Sequence, residues 1–306
     1  PALRANDVRY CQRSVFLKRK DWYWDLIFVV PTLIVFSLVV LVPFVMGISY
    51  SFVSWDGIAA NPKVFVGLSN YVMAMSDDRF IRSAVKTFIF TAVAVVATNA
   101  LGLVVALLVT SKMKLAGVVR TFYFMPYLIG GLILGYIWKF IFSDGFAIIG
   151  KVTGLTSVFF NWLLHPNFAL FALVFVSTWQ TAGYVMIIYI SGIQTIPQDL
   201  IEAAEVDGAH GWKMFWRIKF PLIMPAFTVA LFMTLSNSFK IFDTNLSLTA
   251  GGPNNETELF AMNIYNEIFL NGHYGYGQAK AVLFFIIVAV FTLAQVRVTK
   301  KREVGL

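Results

Sequence analysis

Three neutral hydrogen-bonding residues, Thr234, Asn237 and Ser238, fall at i, i+3 and i+4 in an otherwise apolar stretch. On a helix that spacing puts them on one face, and Ile241 continues the face as an apolar wall. A second stretch, "TWQTAGY", sets Gln180 and Tyr184 four residues apart, with Trp179 and Thr181 beside them. In "RTFYFMPYLIGG", Tyr127 and Gly131 are also four apart. Amides, hydroxyls and flat rings can hydrogen-bond and stack with a neutral polyhydroxy solute inside a water-filled cavity. Polar groups within bilayer-spanning helices turn away from lipid, which would gather these faces around one path. Blander roles compete with this one. Serine and threonine bond back to their own helix, Trp179 suits an aromatic belt, and Gly131 with Gly135 has a helix-packing spacing that favours packing over solute clearance. Asn237 and Gln180 carry the reading best, because each amide must find several partners. Asn99 either lines the path or bridges helices.

Enzymatic chemistry finds little support. His165, His210 and His273 stand singly, without an acid or thiol at ligand spacing, so no metal site is assigned. Asp144 and Asp243 are isolated at helix ends, and Lys240 is placed to pair with Asp243. An intramembrane lipid-modifying enzyme would need paired carboxylates, a His–Asp arrangement or a metal cluster. Cys11 is the one cysteine, which rules out an internal disulfide. The phosphate-loop pattern G-x-x-x-x-G-K-[ST] is missing, so any nucleotide must be bound by another chain.

The elements that would position these residues are membrane helices. Of 306 residues, 58% are hydrophobic and 13% charged, and the mean hydropathy is +0.74. A soluble domain carries about 25% charge, so the chain reads as an all-α polytopic membrane protein. Apolar runs near the ~20-residue bilayer length predict six helices, at 26–48, 85–109, 118–142, 168–190, 221–242 and 279–298. Pro126 falls inside the third and Pro225 near the start of the fifth, where neighbouring helices or water can satisfy the freed carbonyls. Residues 1–25 form a polar, basic leading segment, 26–298 the transmembrane domain and 299–306 a tail. The first apolar run is too long for a signal-peptide core and lacks a small-x-small cleavage site, so it reads as a retained helix. With both termini in the cytoplasm, sixteen of the 24 basic residues fall inside. They are Arg4, Arg9, Arg13, Lys18, Arg19 and Lys20, then Lys112, Lys114 and Arg120, then Lys213, Arg217 and Lys219, and finally Arg297, Lys300, Lys301 and Arg302. The positive-inside rule selects this orientation. The net charge of +8 therefore reports topology rather than nucleic-acid affinity.

In this orientation the loop at about 191–220, containing "EAAEVDGAHGWKMFWRIKFP", faces the cytoplasm. Pro197 suits a first helical turn, Asp199 with Glu202 resembles a capping pair, and Gly208 can end the helix in the left-handed conformation. A helix of about a dozen residues, ~18 Å long, would offer Ala203 and Ala204 as a smooth patch among Glu202, Glu205 and Asp207. It would serve as a knob for a soluble partner or as an interfacial anchor.

The stretch closely resembles the EAA loop of permease subunits of ATP-binding-cassette (ABC) importers, E-A-A, three residues, G, nine residues, I-x-L-P. Here Glu202, Ala203, Ala204, Gly208, Ile218 and Pro221 keep the pattern, and Phe220 replaces its leucine. "VGLSNYVMAMSDDRF" (66–80), "RTFYFMPYLIGG" (120–131) and "LTAGGPNNET" (248–257) are similar to the carbohydrate branch, and the likeness spans roughly residues 24 to 300. The resemblance implies the type I ABC importer (MalF-like) fold in a bacterial or archaeal plasma membrane, with no chemistry of its own. Glu202, Ala203, Ala204, Asp207, Gly208, Ile218 and Pro221 would couple to a separate ATPase, present in two copies, which binds ATP and Mg. Glu202 would meet a basic residue there. The family's sugar contacts fall on the stretches carrying Tyr127, Gly131, Gln180, Thr181, Tyr184, Thr234, Asn237 and Ser238. A second homologous permease and an extracytoplasmic solute-binding protein would complete the assembly. The implied solute is a neutral di- or oligosaccharide. Glycerol phosphate or a polyol is the alternative, although a phosphorylated solute would want arginine in mid-span, and no span has one there. Residues 244–278 have the turn-rich character of a docking surface for the binding protein, and Gly102 with Ala106 is expected to face a neighbouring subunit.

Overall fold

The computed structural model describes residues 22–111 and 114–302. The leading basic cluster Arg4 to Lys20, Cys11, Lys112 and the last four residues lie outside the described residues. The chain divides into two units, Pro1–Tyr50 and Ser51–Leu306. The first contributes α1 (Leu26–Tyr50), whose apolar side chains are exposed from Leu26 to Met46.

In the second unit, a two-stranded antiparallel hairpin, β1 (Val53–Ser54) and β2 (Val64–Phe65), leads to α2 (Ser69–Met75) and α3 (Asp78–Thr110). Asp77 caps α3 by accepting from the Arg79 and Phe80 N–H groups at 2.8 and 3.2 Å. Next come α4 (Ala116–Phe124), α5 (Gly131–Thr153), α6 (Pro166–Gln194) and α7 (Gln198–Val206). The chain ends with α8 (Gly211–Leu222), α9 (Met224–Phe239), α10 (Asp243–Leu248), α11 (Phe260–Tyr265) and α12 (Tyr274–Lys300).

Among the described residues, five helices are long and apolar enough to span a bilayer, and α8 with α9, bent by 74°, makes the sixth candidate. Two of the expected spans are corrected. The stretch 118–142 is not one helix, because the chain breaks at the 3-10 turn Met125–Leu128 and the span is α5. Pro126 has no N–H to continue the ladder, and the Gln180 amide donates to the Ile129 carbonyl freed nearby, at 2.8 Å. The fifth span starts later than Pro221, at Met224, with the bend at Ile223 and Pro225 in the first turn of α9.

The core of this unit is the α3–α6 pair, with α5 and α10 closing one end and α9 the other. A Cβ on Gly102 would lie 2.8 Å from Val185 Cγ1, and Ala106 is fully buried. These small residues therefore let α3 and α6 approach within the chain and do not face a neighbouring subunit. Asn99 ties three helices together. Its Oδ1 accepts from the Tyr189 hydroxyl at 2.7 Å, and its Nδ2 donates to Thr234 Oγ1 at 2.8 Å. Of its two expected roles, Asn99 takes the bridging one.

The end of the bundle opposite α7 is braced by buried charge. Lys280, fully buried, donates to Asp77 and Glu267, each at 2.7 Å. Arg79 grips Glu258 with two bonds, 2.7 and 2.8 Å. Residues 244–278 therefore form a folded cap. Asn245, Thr257, Leu259 and Phe260 are all buried in it, and its exposed tip is Asn254–Asn255. His273 bonds Glu267 at 2.8 Å, a partner its sequence position did not reveal. Lys240 and Asp243 are both exposed and form no ion pair.

Candidate functional site

Between α3, α6, α9 and the start of α10 lies a cavity of about 140 Å³. All six residues expected on the two polar faces line it: Gln180, Thr181 and Tyr184 from α6, Thr234, Asn237 and Ser238 from α9. Their hydrogen-bonding capacity is unequally committed. Thr234 Oγ1 donates to the Ala230 carbonyl at 2.8 Å while accepting from Asn99, and Thr181 Oγ1 bonds the Ser177 carbonyl at 2.7 Å. Gln180 is half spent on Ile129. Asn237 and Ser238 make no hydrogen bond among the described residues, and Asn237 is exposed. Of these six, the groups left uncommitted are Asn237, Ser238, the Tyr184 hydroxyl and the unspent half of Gln180.

Tyr127 is placed beside this cavity rather than in its wall, stacked on Tyr184 with centroids 4.7 Å apart and planes 14° from parallel. Gly131 is not among the lining residues. A Cβ there would lie 2.8 Å from Thr244 Oγ1, and one on Gly135 would overlap Ser247 Oγ, so the pair brings α5 against α10. Trp179 packs edge-on against Trp138, away from the lining. Phe90, Ala94 and Thr98, at i, i+4 and i+8, add a wall from α3, and Ser177 of α6 lines the cavity beside them. The spacing was there to read, but an i, i+4 stripe of this composition is indistinguishable from ordinary core. Ser177 Oγ is buried without a hydrogen-bond partner in the structure, which leaves a donor and acceptor at the cavity wall.

At the far end, α7 is a nine-residue helix ended by a Schellman motif. Ala209 N–H bonds the Ala204 carbonyl at 2.9 Å, Gly208 N–H bonds Glu205 at 3.0 Å, and Gly208 takes φ +77°. The start differs from expectation. Pro197 is the N-cap, Asp199 makes no capping bond, and Glu202 accepts from Gln198 at 3.2 Å instead. The motif residues divide between two surfaces. Ala204 packs with Ala209, Met214 and Ile218, fastening α7 to α8. Glu202, Ala203, Asp207 and Val206 point outward, and Val206 is 87% exposed. Val206 went unnoticed in the sequence, although its place one turn after Glu202 puts it on the same face. Pro221 lies in the last turn of α8 beside the bend. Elsewhere, Gly145, Gly150 and Lys151 come one residue short of a phosphate loop, with Val152 in the hydroxyl position. They wind into α5 instead of forming a loop.

A bundle of membrane-spanning helices, a small neutral cavity among them and an exposed helical knob at one end define a transport protein of the membrane. Residues 98–304 match the family described as binding-protein-dependent transport system inner membrane components, and the chain belongs to that family. It is a multi-pass component of an ABC transport system and not an enzyme. It is 48% identical to a probable starch degradation products transport system permease of Thermoanaerobacterium thermosulfurigenes, over 96% of this chain and 99% of that one. A multiple sugar-binding transport system permease of Streptococcus mutans is 33% identical, covering 92% and 97% of the two chains. The fold matches a bacterial ABC transporter involved in import of the acidic polysaccharide alginate, with TM-score 0.77 and 19% identity over 94% of this chain and 99% of that one.

Proposed function

We propose that the chain is one permease subunit of an importer for a neutral di- or oligosaccharide, delivered by an extracytoplasmic binding protein. The observation that carries the solute class is the cavity wall, which offers amides, hydroxyls and a tyrosine ring and includes no charged side chain. A phosphorylated solute would leave its charge unpaired there, at a cost of several kcal/mol. The relatives named for starch degradation products and multiple sugars support the same class. At about 140 Å³ the cavity is below the ~300 Å³ at which ligand pockets begin. A second, similar permease supplies the rest of the path, and two copies of an ATPase receive α7, with Glu202, Ala203, Val206 and Asp207 as the contact face. ATP and Mg stay with that ATPase. Among the described residues, Lys213, Arg217, Lys219, Arg297, Lys300, Lys301 and Arg302 all lie at the α7 end. This supports a cytoplasmic α7, with the segments 1–25 and 299–306 on the same side and the transmembrane domain 26–298 between them.

The test is reconstitution. Proteoliposomes holding this chain, its partner permease, the ATPase and a loaded binding protein should take up labelled malto-oligosaccharide with ATP. Omission of any one component should abolish uptake. Sugar transport by the purified chain alone would overturn the assembly, and preferential uptake of glycerol phosphate would overturn the neutral solute.

A further inference from the structure

The α7 end holds a second cavity, of about 550 Å³, which the solute path does not use. One wall is the aliphatic flank of α3, with Leu103, Val104 and Leu107. The other is the turn and helix from Ala209 to Lys219, which brings His210, Trp212, Trp216 and Lys219 to the rim. α8 leaves α9 at 74°, so with α9 crossing the bilayer α8 runs close to the membrane plane. Its residues suit that position. Met214 is buried against Ala204 and Ala209, while Trp212 and Trp216 are 76% and 46% exposed and Lys213 and Arg217 lie beside them. Indoles mixed with Lys and Arg on a helix lying flat are the composition of a headgroup-level segment.

The cavity therefore runs from headgroup depth down an aliphatic wall into hydrocarbon. Its charge is mixed but biased: Lys219 lines it, Lys213 and Arg217 flank it on α8, and Glu205 is the single carboxylate in the wall, while the His210 ring adds a hydrogen-bonding group. We propose that this groove binds one anionic phospholipid, with its acyl chains along Leu103, Val104 and Leu107 and its phosphate at Lys219 and His210. The aliphatic wall requires chains, so a free phosphate does not satisfy the site. Glu202, Ala203 and Val206 do not line the groove, so lipid and the outward face of α7 can be occupied together. A lipid wedged between α3 and α8 would hold α8 at its angle.

The whole transporter, reconstituted in nanodiscs of phosphatidylcholine with or without phosphatidylglycerol, tests this by native mass spectrometry of retained lipid. Wild type should retain one phosphatidylglycerol in preference to phosphatidylcholine. Lys219→Gln should weaken that retention about fivefold, the effect of one basic residue near a lipid surface, and Lys219→Arg should restore it. Leu107→Trp, which fills the groove without changing charge, should abolish it. Equal retention of the two lipids by wild type, a comparison that needs no variant, would overturn the proposal. So would phosphatidylglycerol retention by Leu107→Trp at the wild-type level.

Discussion

Asn237 and Gln180 stand in one cavity, yet their substitution should give different phenotypes. Asn237 is exposed and bonds nothing among the described residues, so Asn237→Ala leaves no buried group unpaired. Its effect on stability should stay within about 0.5 kcal/mol. If the amide meets a sugar hydroxyl, its loss costs about 1–3 kcal/mol, or roughly 5- to 150-fold in apparent affinity. Gln180→Ala removes the 2.8 Å bond to the Ile129 carbonyl, which the break at Pro126 left without a helical partner. Stranding that carbonyl costs about 1–3 kcal/mol of fold stability, so this variant should melt lower and transport less whatever the solute. The assay is uptake of labelled sugar at limiting concentration by the reconstituted complex, read beside its melting temperature and its ATP hydrolysis stimulated by loaded binding protein. Asn237→Ala should lose uptake while stimulated hydrolysis survives, because α7 is untouched. Phe232→Leu, on an exposed flank of α9, should change little. Normal uptake by a well-assembled Asn237→Ala would refute the assignment of this face to the solute.

Three further outcomes are expected. Gly208→Val would force a β-branched residue to φ +77°, at a cost of at least about 1–2 kcal/mol. It and Glu202→Lys should each uncouple ATP hydrolysis from uptake while sugar affinity of the binding protein is unchanged, and normal uptake by both would reduce α7 to an anchor. Asn99→Leu strands the buried Tyr189 hydroxyl and should cost about 1–3 kcal/mol; a lower melting temperature with unaltered solute preference would confirm its bridging role. At Asp77 and Glu267, burial pulls the carboxyls upward, but hydrogen bonds from Lys280 and its charge outweigh this and hold both below 3.8 and 4.5. Depressed values stabilise above the unfolded pKa and lose that stabilisation as pH falls through the folded one. Thermal stability of the cap should therefore be flat near neutrality and fall below about pH 4, as read by amide exchange of residues 258–270. A decline that begins well above pH 4 would refute this account.

What was legible in the sequence was whatever looked anomalous against a greasy background. Amides and hydroxyls at helical spacing in an apolar run have few explanations, and Thr234, Asn237 and Ser238 did reach one cavity with Gln180, Thr181 and Tyr184. Gly208 was legible because a helix stop needs a left-handed residue. Roles that depend on a distant part of the chain were hidden. The bond from Gln180 depends on where the break at Pro126 leaves Ile129, 51 residues earlier. Gly102 looked like an outward small-residue face until Val185 occupied the space. Ser177 and His273 needed the cavity and Glu267 to become visible, and neither neighbour is fixed by local spacing.

The motif that seemed to be a docking sequence also encodes a mechanical joint. Ala204 and Ile218, fourteen positions apart in the chain, meet in one small apolar cluster with Met214. This fastens α7 to α8, so a push on Val206 or Glu202 moves both. α8 passes into α9 through Ile223, which is fully buried and flanked by Pro221 and Pro225. Proline on both sides fixes φ and limits bending to few torsions, which makes the 74° turn a stiff elbow rather than a flexible hinge. The arm beyond the elbow carries Thr234, Asn237 and Ser238 into the cavity wall. Thr234 is in turn bonded to Asn99, and Asn99 to Tyr189, so displacement of α9 loads α3 and α6 as well. The outward residues of α7 and the cavity-lining amide of Asn237 therefore lie on one continuous lever. Its stiffness argues that any displacement imposed on α7 reshapes the cavity directly, because the Ala204–Met214–Ile218 cluster locks the turn between α7 and α8.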